Sequence, residues 1–204
     1  MTISDPTLDT ATRIAAGDDK TRYDDVSIGL HWATALLVLA QFVTAQIWGW
    51  FDRPTHHLLV VAHMTIGVLL SAAIVARLVW RLTPGHRIAP VATGWMETAS
   101  RAVHWLLYLL LIAEAALGWI TRWSEGRAMN FFGLLIPPAF PAWTKAEHHQ
   151  MMERHEQVGW IIVVVALLHA LAALYHHYSV RDRVLVRMAP WLRDPAVDPA
   201  EENA

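Results

Sequence analysis

Five histidines fall inside stretches of this chain that carry almost no charge: His31, His63, His104, His155 and His169. A neutral imidazole can ligate a metal, accept or donate a hydrogen bond, or carry a proton, so the neighbouring residues must indicate which use applies. The residue four positions on lies on the same helical face. It is Ala35 after His31, Gly67 after His63, Gly159 after His155 and Ala173 after His169, but Tyr108 after His104. A planar macrocycle held by a histidine has to lie against the helix, and a small residue one turn away leaves room for it. The histidines at 56, 57, 86, 148, 149, 176 and 177 are followed at that spacing by Val, Val, Pro, Met, Glu, Val and Arg. The test therefore selects four of twelve histidines.

The elements that carry them follow from where charge is missing. Of 204 residues, 55% are hydrophobic and 17% charged, and mean hydropathy is +0.31. Soluble domains average about 25% charged residues, so an ordinary globular enzyme is unlikely on composition. Val26–Phe51 and Pro54–Ala76 are uncharged over 26 and 23 residues; the 20 residues between Arg101 and Arg122 hold only Glu114; and the 24 from Gln157 to Val180 hold none. A bilayer core of about 30 Å needs about 20 apolar residues of helix. Four transmembrane helices are predicted. Buried helices of a soluble bundle would show a polar face, whereas Trp160–Leu168 is apolar all round.

Residues 1–25 contain Asp5, Asp9, Asp18, Asp19, Asp24 and Asp25 and no apolar core of a signal peptide. They are expected to be a flexible segment, 26–180 the membrane domain and 181–204 a tail, flexible from Pro190. Basic residues favour the cytoplasmic side. With both termini there, Arg13, Lys20, Arg22, Arg77, Arg81, Arg87, Arg101, Arg181, Arg183, Arg187 and Arg193 lie inside, and Arg53, Arg122, Arg127, Lys145 and Arg154 outside. Trp48, Trp50, Trp119, Trp123 and Trp143 then mark the outer boundary, and Trp80, Trp95 and Trp191 the inner one. The connection from Ser124 to Met152 holds Phe131, Phe132, Pro137, Pro138, Phe140, Pro141 and Trp143. It is too apolar for a solvated linker and is expected to lie over the outer mouth of the bundle.

Depth pairs the selected histidines. His31, near the inner end of the first helix, is level with His169 in the inner half of the fourth; His63 and His155 are level in the outer half. At 1.5 Å and 100° per residue, the 14 residues from His155 to His169 span about 21 Å and return within roughly 40° of the same face. One helix thus contributes to each of two stacked sites. Two histidines per site, no carboxylate beside them and an apolar surround suit haem b better than zinc, which takes three or four ligands. Closed, six-coordinate iron favours electron transfer over oxygen binding. The chain has no cysteine, which excludes disulfides, thiolate catalysis, cysteine-held iron–sulfur clusters and covalently attached c-type haem. Its net charge of −2 argues against nucleic acid as a partner.

Arg22-Tyr23-Asp24 leading to Leu30-His31-Trp32, the turn from His63 to Gly67, Ala102-Val103-His104 with Leu107-Tyr108-Leu109, the His155/His169 pair and Tyr175-His176-His177-Tyr178 together resemble the bacterial cytochrome b561 family, most closely its superoxide oxidase branch. The likeness spans about residues 21–190. It implies an all-α, integral membrane four-helix bundle with two stacked b-type haems in the bacterial inner membrane, His63 and His155 holding the outer one, His31 and His169 the inner. It further implies oxidation of superoxide at the outer, periplasmic face and electron delivery to ubiquinone near the inner side. Arg154, Lys145, Arg127 and Arg122 are then the candidates to attract the anion, with Arg122 equally a headgroup contact. His176 is a candidate for the quinone site, His177 for an interfacial side chain reaching water. His104 reads as a residue that supports a haem propionate or the quinone without ligating iron. Glu114 departs from the apolar residues expected there and reads as either a proton relay or, preferably, a hydrogen-bonded group filling space between helices.

Two other functions fit parts of the sequence. A cytochrome b subunit linking a partner dehydrogenase or hydrogenase to the quinone pool would need the same helices and ligands, with the long outer connection as a docking face. A histidine-based metal transporter would need polar residues facing one another through the midplane, and beyond Thr34, Gln41, Thr44, Thr65 and Ser71 these are few.

Overall fold

The structure, a computed structural model, describes residues 22–83 and 94–193. Four helices carry the chain: α1 Asp25–Ile47, continued by a tight 3₁₀ turn at Trp48–Trp50, α2 Arg53–Leu82, α3 Trp95–Ser124 and α4 Lys145–Tyr175. All four are long and apolar enough to cross a membrane. Leu36, Leu58, Leu109 and Leu168 are each more than half exposed, as side chains that face lipid should be. Arg13, Lys20 and Arg87, the greater part of the acidic N-terminal segment and the tail beyond Arg193 lie outside the described residues.

The helix starts follow from local chemistry. Unpaired N–H groups at a helix N-terminus need acceptors, and short polar side chains supply them. The Asp24 side chain accepts from the Ser27 backbone at 2.9 Å, and that of Asp52 from Thr55 at 3.3 Å with Pro54 in the first turn. Thr144 and Glu147 form a reciprocal capping box at the start of α4. That box explains why α4 begins twelve residues before the uncharged window at Gln157. Its first turns are charged and polar, and charge-free length alone does not report them.

Helix α1 packs along α2, and α3 along α4, while α2 and α3 make a lighter contact. The backbones of α1 and α4 do not pack closely; side chains bridge them instead, Phe42 meeting Trp160 edge-on at 4.8 Å between ring centroids. At mid-depth Leu70, Ile74, Leu111 and Ile162 form a small core, with Leu37, Val38, Leu110, Ala115 and Val158 against it.

The outer connection is shorter and more ordered than the sequence suggests. It contains a two-stranded antiparallel hairpin, β1 Met129–Phe131 and β2 Leu134–Ile136, paired Met129↔Ile136 and Phe131↔Leu134. Its two-residue turn has positive φ at both Phe132 (50°) and Gly133 (88°), the combination that matches the twist of a hairpin. Strand β1 packs on α2, and the Phe132 N–H reaches Thr65 Oγ1 at 3.5 Å. Thr65 lies twelve residues into α2, about 18 Å along its axis. The connection therefore runs down the flank of α2, where Phe132 and Gly133 lie beside Leu58, Val61 and Leu69.

At the inner end the chain beyond α4 is held against the bundle. Residues His176–Val180 form a π-helical turn, Tyr23 N–H donates to the Arg187 carbonyl at 3.3 Å, and Trp32 Nε1 to that of Met188 at 2.8 Å. Ala189 is buried. The contacts continue past Pro190: Trp191 lies 5.5 Å from Trp32 between ring centroids, and the Leu192 N–H donates to the Ala189 carbonyl at 2.9 Å. The same end of the bundle is tied by Asp24, which accepts both from Ser27 and from Trp80 Nε1 of α2 at 3.1 Å. Replacing Asp24 by Ala removes a cap worth about 1 kcal/mol together with the link from Trp80 Nε1 to the start of α1. The melting temperature in detergent should fall by several degrees, whereas Asp25→Ala, which loses only an exposed pair with Arg22, should leave it unchanged.

Candidate functional site

The outer pair joins α2 to α4. His63 and His155 face each other with ring centroids 6.3 Å apart and planes at 85°. On α1, Thr44 Oγ1 lies 3.2 Å from His63 Nδ1 and 2.8 Å from the Ala40 carbonyl. A hydroxyl that gives its proton to a carbonyl can only accept from the imidazole. Nδ1 of His63 therefore carries its hydrogen, and Nε2 keeps a free lone pair. A carboxylate does lie beside this pair, contrary to the expectation from the sequence: His155 Nδ1 stands 3.0 Å from Glu114 Oε1 on α3, and both Nδ1 and Glu114 Oε2 are buried without a hydrogen-bond partner.

Glycines make the room for these groups. A Cβ at Gly118 would come within 3.3 Å of the His155 ring, and one at Gly159 within 3.1 Å of Glu114 Oε1. At Gly67 it would meet Gln41 Nε2 at 2.8 Å. The small residues after His63 and His155 thus have polar side chains of neighbouring helices against them, a use that the sequence reading did not foresee.

The inner pair joins α1 to α4. His31 and His169 have ring centroids 6.5 Å apart with planes at 69°. His104 on α3 approaches the same place, its centroid 5.2 Å from that of His169, and its Nδ1 lies 2.6 Å from the Ser100 carbonyl. Arg77 Nη2 donates to His31 Nδ1 at 3.0 Å, and the same guanidinium lies over the Tyr108 ring at 5.2 Å. Arg81 stacks over Trp105 at 5.5 Å.

These spacings can be tested against a metal held between rings. Metal–nitrogen distances of about 2 Å on either side put the centroids of two trans imidazoles about 6 Å apart. The His63–His155 and His31–His169 spacings fit, and the shorter His104–His169 spacing does not. No group of three or more histidine or carboxylate side chains placed to hold a bare metal ion occurs among the described residues. The donor set suits an ion whose other ligands come from a planar cofactor. Between the two levels lies the apolar core, with Ile162 midway between His155 and His169 on α4.

The sequence pattern of prokaryotic cytochrome b561 matches residues 22–191, the whole of this bundle. The chain belongs to the prokaryotic cytochrome b561 family. Similar proteins include cytochrome b561 homolog 2 of Escherichia coli K12, 31% identical over 175 residues, which are 82% of this chain and 90% of that protein. The probable superoxide oxidase CybB of Yersinia pestis is 29% identical over 171 residues, 83% and 96% of the two chains. Cytochrome b562 of Cereibacter sphaeroides is 30% identical over 184 residues, 81% and 94%. As a cytochrome b561 this is a multi-pass membrane electron carrier that uses b-type haem.

The remaining candidate residues of this b561 protein are distributed between both faces. Arg122 and Arg127, at the end of the bundle that carries the hairpin, share Glu125 at 3.0 and 3.4 Å, which offsets part of their charge. Arg154 and Lys145 are exposed on α4, Arg154 directly beside His155. His176 Nδ1 is paired with Asp182 Oδ2. His177, expected to reach water, is instead buried with its Nδ1 unpartnered. The π turn explains the change, because its wider winding alters the direction of each side chain after Tyr175. Arg77 and Thr44 were missed as parts of the sites. Arg77 had a signal: it follows His63 by 14 residues, the same spacing that stacks His155 and His169.

The space at Gly118 is directly testable. In Gly118→Val the added methyls press on the His155 ring, and haem bound per protein should fall severalfold or to about half by pyridine haemochrome assay. Gly29→Ala, where a Cβ meets nothing within 4 Å, should leave it unchanged.

Proposed function

We propose that His63 and His155 hold one haem b and His31 and His169 a second, and that the chain carries electrons from superoxide at the outer face to ubiquinone at the inner one. The observation that carries this reading is the pair of imidazole couples at 6.3 and 6.5 Å, contributed by one helix at two depths and separated by an apolar core. The likeness to a probable superoxide oxidase supports the choice of donor. Both termini lie on the cytoplasmic side in this reading.

Haem b, when bound, supplies one-electron redox chemistry at each level. The protein's part is to hold, orient and insulate. Thr44 keeps His63 in the tautomer that leaves Nε2 free to coordinate. For His31 to coordinate through Nε2, its Nδ1 must take the proton and Arg77 must turn aside, which frees a guanidinium for a propionate carboxylate. His104, too close to His169 to share an iron with it, is a further hydrogen-bonding group at that edge. Two superoxide anions each lose one electron and leave as dioxygen, and ubiquinone takes up two electrons and two protons. Arg154, with Lys145 and the partly compensated Arg127, draws the anion toward His155. At the inner side His176, backed by Asp182, is the proton-carrying group for the quinone.

Ligand variants test the pairing. His63→Ala or His155→Ala should halve haem per protein, as should His31→Ala or His169→Ala, while His104→Ala should retain both haems. The purified, oxidised protein should show reduced haem bands on exposure to a superoxide source, and superoxide dismutase should suppress them. A response to dithionite alone would replace superoxide with a partner protein as donor. The attraction of the anion has a separate readout: raising salt from low to about 0.15 M should slow reduction by superoxide severalfold, and Arg154→Glu should do so at constant salt. A rate indifferent to both would remove the basic residues from the mechanism.

A further inference from the structure

Glu114 is a carboxyl group in the middle of a membrane-spanning helix, where an ionisable side chain is costly and ordinarily has a specific partner. Among the described residues the only group within ion-pairing distance is His155, with Nδ1 at 3.0 Å from Oε1. The pair occupies space left by two glycines on two helices: Gly159 of α4 allows the carboxyl group and Gly118 of α3 the ring. Both His155 Nδ1 and Glu114 Oε2 are buried without hydrogen-bond partners. Buried polar atoms are rarely left so, and a small rotation of either side chain closes the bond between them.

We infer that Glu114 is a positioning residue for His155: its carboxyl oxygen takes the Nδ1–H, fixes the ring so that Nε2 is the coordinating atom, and makes that nitrogen a stronger donor to the outer iron. This rests on the ligand assignment proposed above. Carboxylate partners orient metal-bound histidines and raise their basicity. A stronger donor stabilises the oxidised over the reduced iron and lowers the potential of that centre. Among the described residues no carboxylate lies within ion-pairing distance of the inner pair, and the Arg77 guanidinium donates to His31. The two centres thus sit in fields of opposite sign. The outer one is made the better reductant, and electrons are biased inward.

The test is a spectroelectrochemical redox titration of the purified haem-loaded protein, wild type against Glu114→Gln and Glu114→Leu. The midpoint of the outer centre, identified as the one lost in His155→Ala, should rise in both variants while that of the inner centre stays in place. A tenfold change in the oxidised-to-reduced equilibrium corresponds to about 59 mV for one electron. A shift of about that size is expected for Glu114→Leu, and a smaller one for Glu114→Gln, which retains an acceptor oxygen. Loss of the outer haem alone in either variant would also support the orienting role. Unchanged midpoints in variants with full haem content would overturn the inference. If His155→Ala itself keeps both haems, the ligand assignment fails, an outcome distinct from failure of the role given to Glu114.

Discussion

An imidazole inside a bilayer has two nitrogens and no water to satisfy them, and the arrangement of this bundle follows from that requirement. When one nitrogen is to coordinate a metal, the other has to find an acceptor within the protein. His63 finds Thr44, whose own proton is committed to the Ala40 carbonyl, and His104 finds the carbonyl of Ser100. His155 faces Glu114, and His31 faces Arg77. Each contact except that of His104 crosses from one helix to another. His31 is the exception to the need for an acceptor, because its Nδ1 accepts from the Arg77 guanidinium; the contacts that meet the ring nitrogens of His63, His155 and His31 also cross-link the bundle.

The same demand shapes the packing. Helices α1 and α2 form one antiparallel pair and α3 and α4 another, and the histidine couples lie across the division between α4 and the first pair. The backbones of α1 and α4 stay apart there, as a planar cofactor between ring pairs requires. The helices meet instead at mid-depth, where Leu70, Ile74, Leu111 and Ile162 close an apolar layer. That layer separates the two histidine couples. Helix α4 contributes to both levels because 14 residues bring a helix back to nearly the same face about 21 Å further on.

Charge is distributed unevenly along the membrane normal. Glu114 stands beside the outer couple, and Arg77 and Arg81 with their aromatic partners Tyr108 and Trp105 stand beside the inner one. At the hairpin end of the bundle Glu125 offsets part of the charge on Arg122 and Arg127, leaving Arg154 and Lys145 as the basic groups on the first turns of α4. In a low-dielectric medium such fixed charges act strongly on any electron placed between them. A carrier that is to move electrons one way gains from this polarity without any moving part.

The four spans were legible in the sequence, because they depend on a local rule, charge-free length; the small residues one turn after His63 and His155 instead have Gln41 and Glu114 against them. The stacking of His155 over His169 was legible too, since it lies on one helix and follows from helical pitch alone. The start of α4 at Lys145 was not visible in charge-free length, because a capping box, not hydropathy, begins that helix. The hairpin at Met129–Ile136 was hidden for a similar reason: a Phe-Gly turn is not a usual signal for one, and its place beside Thr65 depends on α2. Which side chain meets each ring nitrogen was decided only by the tertiary structure. Thr44, Arg77 and Glu114 lie on other helices than the histidines they touch, and the rotation of one helix against the next is set by packing along its whole length, a sum of many small contacts that no short motif records.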